Sequence, residues 1–125
     1  MQLMFSKSSE LGVFEGLGFF DGEVSSIKRN NNESCKVPHV GWNRVEALYK
    51  PCSLFDGKLF YFNHSFCVKS VDVANYDVIN ITNYCGTSFV SQIGRENVSG
   101  VQFHPEKSGE AGLTVYENFL QKKNH

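Results

Sequence analysis

Through most of the first hundred residues apolar and aromatic positions gather in short strand-like runs set between turn residues, a pattern that predicts a mainly β body. The pattern predicts strands over Val24 to Arg29, Lys36 to Val45, Lys58 to Val68, Val78 to Thr82, Ser88 to Ile93 and Val98 to Phe103. Glycines bracket the short apolar run from Gly16 to Gly22 that leads into the first of these. Pro38 and Gly41 interrupt the second, which therefore reads as an edge strand. The third is the clearest, entered through the turn signal Asp56-Gly57. Asn83-Tyr84-Cys85-Gly86 joins the next two as a hairpin and Gly94-Arg95-Glu96-Asn97 turns into the last, so the middle of the chain reads as a meander. The polar cluster from Asn30 to Ser34 has turn chemistry and no apolar content, and reads as an exposed loop.

The period then changes. Leu113, Tyr116, Phe119 and Leu120 recur at spacings of three and four, with Glu110, Glu117, Gln121 and Lys122 on the other side. This predicts an amphipathic helix with one buried apolar stripe. Ser108 is its candidate N-cap, and Glu110 near the start with Lys122 and Lys123 near the end suit the helix dipole.

Composition narrows the class. The 125 residues carry Lys+Arg 12 against Asp+Glu 13, a formal charge of −1, with 41% hydrophobic and 20% charged residues. That length fits one domain at most. The balance is too apolar for a disordered tail and carries no basic footprint for nucleic acid. No long apolar run and no basic stretch ahead of an apolar one is present, so neither a membrane span nor a secretory signal is expected, and the expected compartment is the cytosol. In that compartment Cys35, Cys52, Cys67 and Cys85 are expected as free thiols. None has the C-x-x-C spacing of a metal grip, and no metal or cofactor is expected. The sequons beginning at Asn32, Asn63, Asn80 and Asn97 read as chance products of an Asn- and Ser-rich chain.

Candidate chemistry concentrates in Gly100-Val101-Gln102-Phe103-His104-Pro105-Glu106-Lys107-Ser108-Gly109, where a strand ends and a helix follows. Along an extended backbone residues i and i+2 share a side, so His104 and Glu106 can meet, with Pro105 restricting the backbone between them. A carboxylate on one imidazole nitrogen fixes the tautomer and leaves the other free to act as a base. By spacing alone the pair reads more readily as a surface loop with a satisfied histidine. The nucleophile that such a base would serve is missing: Cys85 lies in a hairpin turn, not at the strand-to-helix elbow or helix N-terminus that lowers a thiol pKa, and the other cysteines have no better context.

Phe103-His104-Pro105-Glu106 resembles the C-terminal catalytic motif of the class I glutamine amidotransferases. The continuation from Lys107 to Leu113 is similar to one branch of them, the glutaminase subunits of imidazole glycerol phosphate synthase. Lys36-Val37-Pro38-His39-Val40-Gly41-Trp42-Asn43 is similar to that branch's K-V-P-H-M-G-W-N, and Phe60 to Phe66 resembles its Y-F-V-H-S-Y strand. Met1-Gln2-Leu3-Met4-Phe5 resembles the residues just after the nucleophile of G-x-C-L-G-M-Q. The resemblance covers the whole chain and implies a three-layer α/β sandwich, truncated at its N-terminus, with a mainly β middle and a C-terminal helix. Residues 1–125 would form the C-terminal part of a single amidotransferase domain, whose cysteine would fall three positions before Met1.

The resemblance also implies roles. His104 and Glu106 match the catalytic pair; Gln2, Glu10, His64, Ser65 and Phe66 match positions that contact glutamine, with Phe66 standing where the family often has Tyr. His39, Trp42, Asn43, Tyr61 and Lys107 match positions facing a cyclase subunit with a (β/α)₈ barrel. Read without the family, Gln2 and Glu10 are solvated helix residues, His64 a sheet-face histidine and Trp42 a core residue. An amidotransferase of another pathway and a non-catalytic cyclase-binding module are the rival functions. With sheet strands absent, an exposed edge and apolar face are expected.

Overall fold

The computed structural model describes residues 1–9, 12, 14–27, 35–49 and 54–123. Glu10, Cys52 and the polar run 30–34 lie outside them. Among the described residues ten strands precede one long helix: β1 (Phe5–Ser8), β2 (Phe14–Glu15), β3 (Phe20–Ser26), β4 (His39–Arg44), β5 (Glu46–Tyr49), β6 (Leu59–His64), β7 (Phe66–Val68), β8 (Val78–Tyr84), β9 (Thr87–Arg95), β10 (Val98–Val101) and α1 (Gly109–Lys123). They form three sheets, in the orders β2-β1-β3-β7, β10-β9-β8-β5 and β4-β6. Only β1 and β3 run parallel; the other pairs are antiparallel.

The expected meander is β8-β9-β10. Its first turn is tight because Cys85 and Gly86 both take positive φ, 55° and 73°, between Tyr84 and Thr87, which pair in register. Two positive φ values in a two-residue loop match the right-handed twist of the flanking strands. The expected strand from Lys58 to Val68 is instead two strands. β6 pairs with β4, the chain breaks at Ser65, and β7 pairs with β3 in another sheet. No glycine or proline lies between Leu59 and Val68, so the sequence carries no breaker to mark the switch. The first predicted strand also shifts, running from Phe20 to Ser26.

Two apolar clusters hold the layers. Phe5, Phe20, Val24, Val68, Ile79, Val90 and Ile93 fill the first, between the β1-β3-β7 and β8-β9 sheets. Phe55, Phe60, Phe62, Phe89 and Phe103 dominate the second, with Ala111 and Val115 of α1 packed against it. The Phe60 and Phe103 rings stack with centroids 4.0 Å apart, and Phe55 and Phe62 meet the Phe103 ring edge-on. Such ring pairs add about 0.5–1.5 kcal/mol each beyond their burial. β9 is buried on both faces from Phe89 to Ile93, which lets one strand serve both clusters.

The helix is where predicted, but it docks on its other side. Leu113, Tyr116, Phe119 and Leu120, the expected buried stripe, are all exposed, whereas Gly112 is buried and Val115 partly so. The reason is backbone proximity. A Cβ on Gly112 would lie 1.9 Å from the Pro105 carbonyl oxygen, so the helix approaches the preceding turn through its smallest residue. Periodicity locates an apolar stripe; it does not say which face a close backbone contact will claim. Among the described residues no helix is long and apolar enough to cross a membrane.

Gly112→Ala tests this contact. Alanine gains about 0.8–1.0 kcal/mol of helix propensity, but the carbonyl against it is backbone and cannot rotate away, and overpacking of this kind costs about 1–3 kcal/mol. The expected net result is a lowered urea midpoint; a raised midpoint would mean that the helix lies farther from Pro105.

Candidate active site

β10 ends at Val101 and the chain reaches His104 in extended conformation, with φ −98° and ψ 98°, before Pro105–Lys107 form a 3-10 turn. His104 Nδ1 lies 2.8 Å from Glu106 Oε1. The two side chains therefore meet as expected, but across the start of a 3-10 turn and not along a strand. Proline at the first position of that turn has its φ pre-set and no N–H to satisfy. Because a carboxylate can only accept, Nδ1 carries the proton and Nε2 is left for other chemistry. The Glu106 carboxyl is held below the usual carboxylate range, first by a hydrogen bond from its own backbone N–H and then by the His104 side chain.

His104 is anchored at both ends of its peptide. Its N–H donates to the Tyr61 carbonyl at 2.9 Å, and its carbonyl accepts from Ser108 Oγ at 2.6 Å. The same hydroxyl accepts from the Tyr61 N–H at 3.0 Å. Ser108 is therefore not the side-chain cap expected of it. Its buried hydroxyl ties the turn to β6, while its carbonyl receives the Gly112 N–H and starts the helix. A serine ahead of a helix carries only the capping signal, so sequence reading missed this second use.

His104 opens onto a cleft of about 760 Å³, lined also by Met1, Gln2, Gln102 and the segment His64 to Phe66. Gln2 Nε2 donates to the Phe66 carbonyl at 2.8 Å and to Gln102 Oε1 at 2.9 Å. Four of the five expected glutamine contacts, Gln2, His64, Ser65 and Phe66, thus share the cleft with His104; Glu10 lies outside the described residues. Gln2 sits in a 3-10 turn and not in the α-helix of its alternative reading. Gln102 was not singled out from the sequence, although its place two residues before His104 could have drawn attention to it.

The residues expected at a partner interface divide. On the two-stranded sheet, Val40, Trp42 and Arg44 face out, and His39, Gly41 and Asn43 alternate with them. Trp42 is 56% exposed, which excludes its reading as a core residue. Its ring meets Tyr61 edge-on at 6.1 Å, and the Lys107 ammonium lies 5.8 Å from the Tyr61 ring centre. His39 corrects the expectation: it is only 3% exposed, sandwiched between Tyr84 and Phe62 at ring distances of 3.9 and 4.9 Å. In a strand, residues three apart face opposite sides, so His39 and Trp42 could not both point outward.

Inside the sheet, His39 pairs in register with His64, and Nδ1 of the first lies 2.9 Å from Nε2 of the second. His39 Nε2 lies 3.3 Å from Asn43 Nδ2, and His64 Nδ1 lies 2.8 Å from the Phe66 carbonyl. Burial, and then the neighbouring His64, lowers the His39 pKa to about 4. Burial also lowers that of His64, partly offset by the Phe66 carbonyl.

Two of the cysteines depart from the free-thiol expectation. Cys35 and Cys85 form a disulfide that joins the approach to β4 to the β8-β9 turn. The turn that disqualifies Cys85 as a nucleophile brings its Cα to 5.6 Å from that of Cys35, within bonding reach. Cys67 is a free thiol in the second apolar cluster, its pKa raised by burial.

With this geometry in view, the chain matches the family model for glutamine amidotransferase class-I over residues 1–123. It belongs to that family. The amidotransferase chain is 43% identical over 124 residues to imidazole glycerol phosphate synthase subunit HisH of Pyrococcus furiosus, covering 95% of this chain and 59% of that protein. It is 40% identical over 125 residues to the subunit of the same name from Methanocaldococcus jannaschii and to subunit HisH 1 of Campylobacter jejuni, covering 97% of this chain and 59% of each relative. The chain thus spans less than two thirds of these relatives, and its mainly β body with a C-terminal helix is the amidotransferase-type α/β fold expected.

The histidine pair makes acid sensitivity predictable. His39 binds its proton less readily folded, at about 4, than at the ordinary 6.5. Between those values the unfolded chain holds more protons, so stability must fall as pH drops from 6.5 towards 4. His64 acts in the same direction. Urea midpoints at pH 7, 5.5 and 4 should decline, and His39→Phe should decline less steeply; equal slopes would contradict the assignment.

Proposed function

We propose that this chain carries the histidine and acid of a glutaminase that serves imidazole glycerol phosphate synthase. The single observation behind this reading is that His104, bonded to Glu106 at 2.8 Å, lines a cleft that also presents Gln2 and residues 64–66. Among the described residues Cys35 and Cys85 are bonded to each other and Cys67 is buried; the nucleophile in this reading is a cysteine in a part of the amidotransferase domain outside these 125 residues. Residues 1–125 then form the C-terminal part of that domain, and the cytoplasm is its compartment.

The chemistry follows from the tautomer. His104 Nε2 takes the proton of the cysteine thiol, and the thiolate so formed adds to the carboxamide carbon of glutamine. As the adduct collapses, His104 Nε2 delivers a proton to the departing nitrogen and ammonia leaves. A water molecule, relieved of a proton by the same nitrogen, then cleaves the glutamyl thioester to glutamate. Glu106 holds Nδ1–H and steadies the imidazolium between the steps. Gln2 spends both amide hydrogens on Phe66 and Gln102, so what it offers a ligand is its acceptor Oε1, a match for an ammonium or amide N–H. Phe66 has no hydroxyl to add to the site.

Ammonia released into water is lost, and a glutaminase of this kind passes it to a partner. Trp42, Tyr61 and Lys107 form an exposed aromatic and cationic cluster suited to anchoring the (β/α)₈ cyclase subunit. The names of the relatives and the Lys36 to Asn43 stretch favour this synthase over one of another pathway.

In the complete glutaminase with its cyclase, His104→Ala should lower glutamate release about 10²–10⁴-fold, and Glu106→Gln should lower kcat more than it changes KM. The 125 residues by themselves should release no glutamate above a His104→Ala control. Trp42→Ala should weaken cyclase binding about tenfold or more, measured by calorimetry. Full glutaminase activity in the His104→Ala complex would refute the reading, whereas cyclase binding with no turnover in the wild-type complex would favour a non-catalytic module.

A further inference from the structure

The side chains of Asn43, His39 and His64 form one hydrogen-bonded line, and both of its ends fix its direction. Asn43 Nδ2 lies 3.0 Å from the Asn83 carbonyl, and Asn43 Oδ1 accepts from the Arg44 N–H at 2.7 Å. The amide is therefore oriented with its NH₂ towards His39, making His39 Nε2 the acceptor. A neutral imidazole with an acceptor Nε2 carries its hydrogen on Nδ1, which then donates to His64 Nε2. At the far end the Phe66 carbonyl can only accept, so His64 is likewise the Nδ1–H tautomer. The two assignments, reached from opposite ends, agree.

That carbonyl is shared. It accepts from His64 Nδ1 at 2.8 Å and from Gln2 Nε2 at 2.8 Å, and Gln2, His64 and Phe66 all line the cleft with His104. A sequence of four bonds thus runs from the β8 end at Asn83 to the wall of the cleft. Asn43 donates both ways, to the Asn83 carbonyl and to His39, and from Asn43 onward each link carries one proton towards Phe66. A second proton on either imidazole would set N–H against N–H.

We propose that His39 is a positioning residue of the cleft: as a neutral Nδ1–H imidazole it holds His64 in place, and through it the Phe66 carbonyl that holds Gln2. The role in substrate binding rests on the glutamine reading given above; the relay itself does not. His39 touches no substrate. The titratable groups facing it are His64 and the Tyr84 ring, and those facing His64 are His39 and, farther off, His104.

Two variants separate positioning from packing. His39→Phe keeps the ring between Tyr84 and Phe62 but removes the donor. His39→Asn gives up the ring yet places an N–H near the site of Nδ1. In the complete glutaminase with its cyclase, His39→Phe should raise KM for glutamine about three- to tenfold, the factor one neutral hydrogen bond carries, with a smaller change in kcat. His39→Asn should recover most of that KM despite lower thermal stability. In ¹⁵N-histidine-labelled protein, His39 and His64 should both appear as Nδ1–H tautomers at pH 7, and His39→Phe should move the His64 titration upward.

An Nε2–H tautomer at either histidine, an unmoved His64 titration in His39→Phe, or a KM that follows stability and not the donor would each overturn the proposal. A wild-type complex without glutaminase activity would overturn the glutamine reading instead. The spectra alone would then decide whether His39 holds His64.

Discussion

Everything near the cleft depends on the clasp between the His104 peptide and β6. The backbone of Tyr61 donates to the Ser108 hydroxyl and accepts from the His104 N–H, while the hydroxyl closes the ring by donating to the His104 carbonyl. These bonds tie a strand, a 3-10 turn and a helix start into one unit. Because the clasp is buried at Ser108, its loss would leave the Tyr61 N–H without that partner, an omission that costs about 1–3 kcal/mol. The imidazole is thereby presented on a backbone that cannot drift, and Glu106 needs only to set its tautomer.

The clasp also explains why the exposed and buried faces of β6 have separate uses. Phe60 and Phe62 point into the aromatic cluster with Phe103, one residue before His104. Tyr61 points the other way, towards Trp42 and Lys107. A single strand therefore seats the His104 turn from below and presents the Tyr61 ring with Trp42 and Lys107 above, with His64 at its end reaching the cleft. Charge is handled differently in the two places. Glu106 is exposed and stays ionised, whereas His39 and His64 are buried and kept neutral, as the cost of desolvating a cation demands.

Much of this was legible in the chain of residues. The meander, the helix and the edge character of β4 followed from periodicity and turn residues, and the meeting of His104 with Glu106 followed from their spacing. Other features were hidden for identifiable reasons. The break at Ser65 has no glycine or proline to announce it, so one strand and two strands in different sheets look alike. The helix turned its small-residue side inward because Gly112 permits contact with the Pro105 carbonyl, a distance no hydrophobic pattern encodes. The bond between Cys35 and Cys85 needed the β8-β9 turn and the approach to β4 to lie side by side.

By itself, then, the sequence determined which residue types could do chemistry and how locally they were spaced: an imidazole two positions from an acid, a proline between them, an aromatic strand upstream. Those are short-range properties, set by backbone geometry over a few residues. Tertiary structure alone decided that Gln2 and Gln102, a hundred positions apart, share a hydrogen bond beside that imidazole, and that His39 turns inward to meet His64. Such pairings depend on which strands become neighbours. That choice belongs to the packing of the whole chain, because a residue's side of a sheet has meaning only once its partner strand is in place.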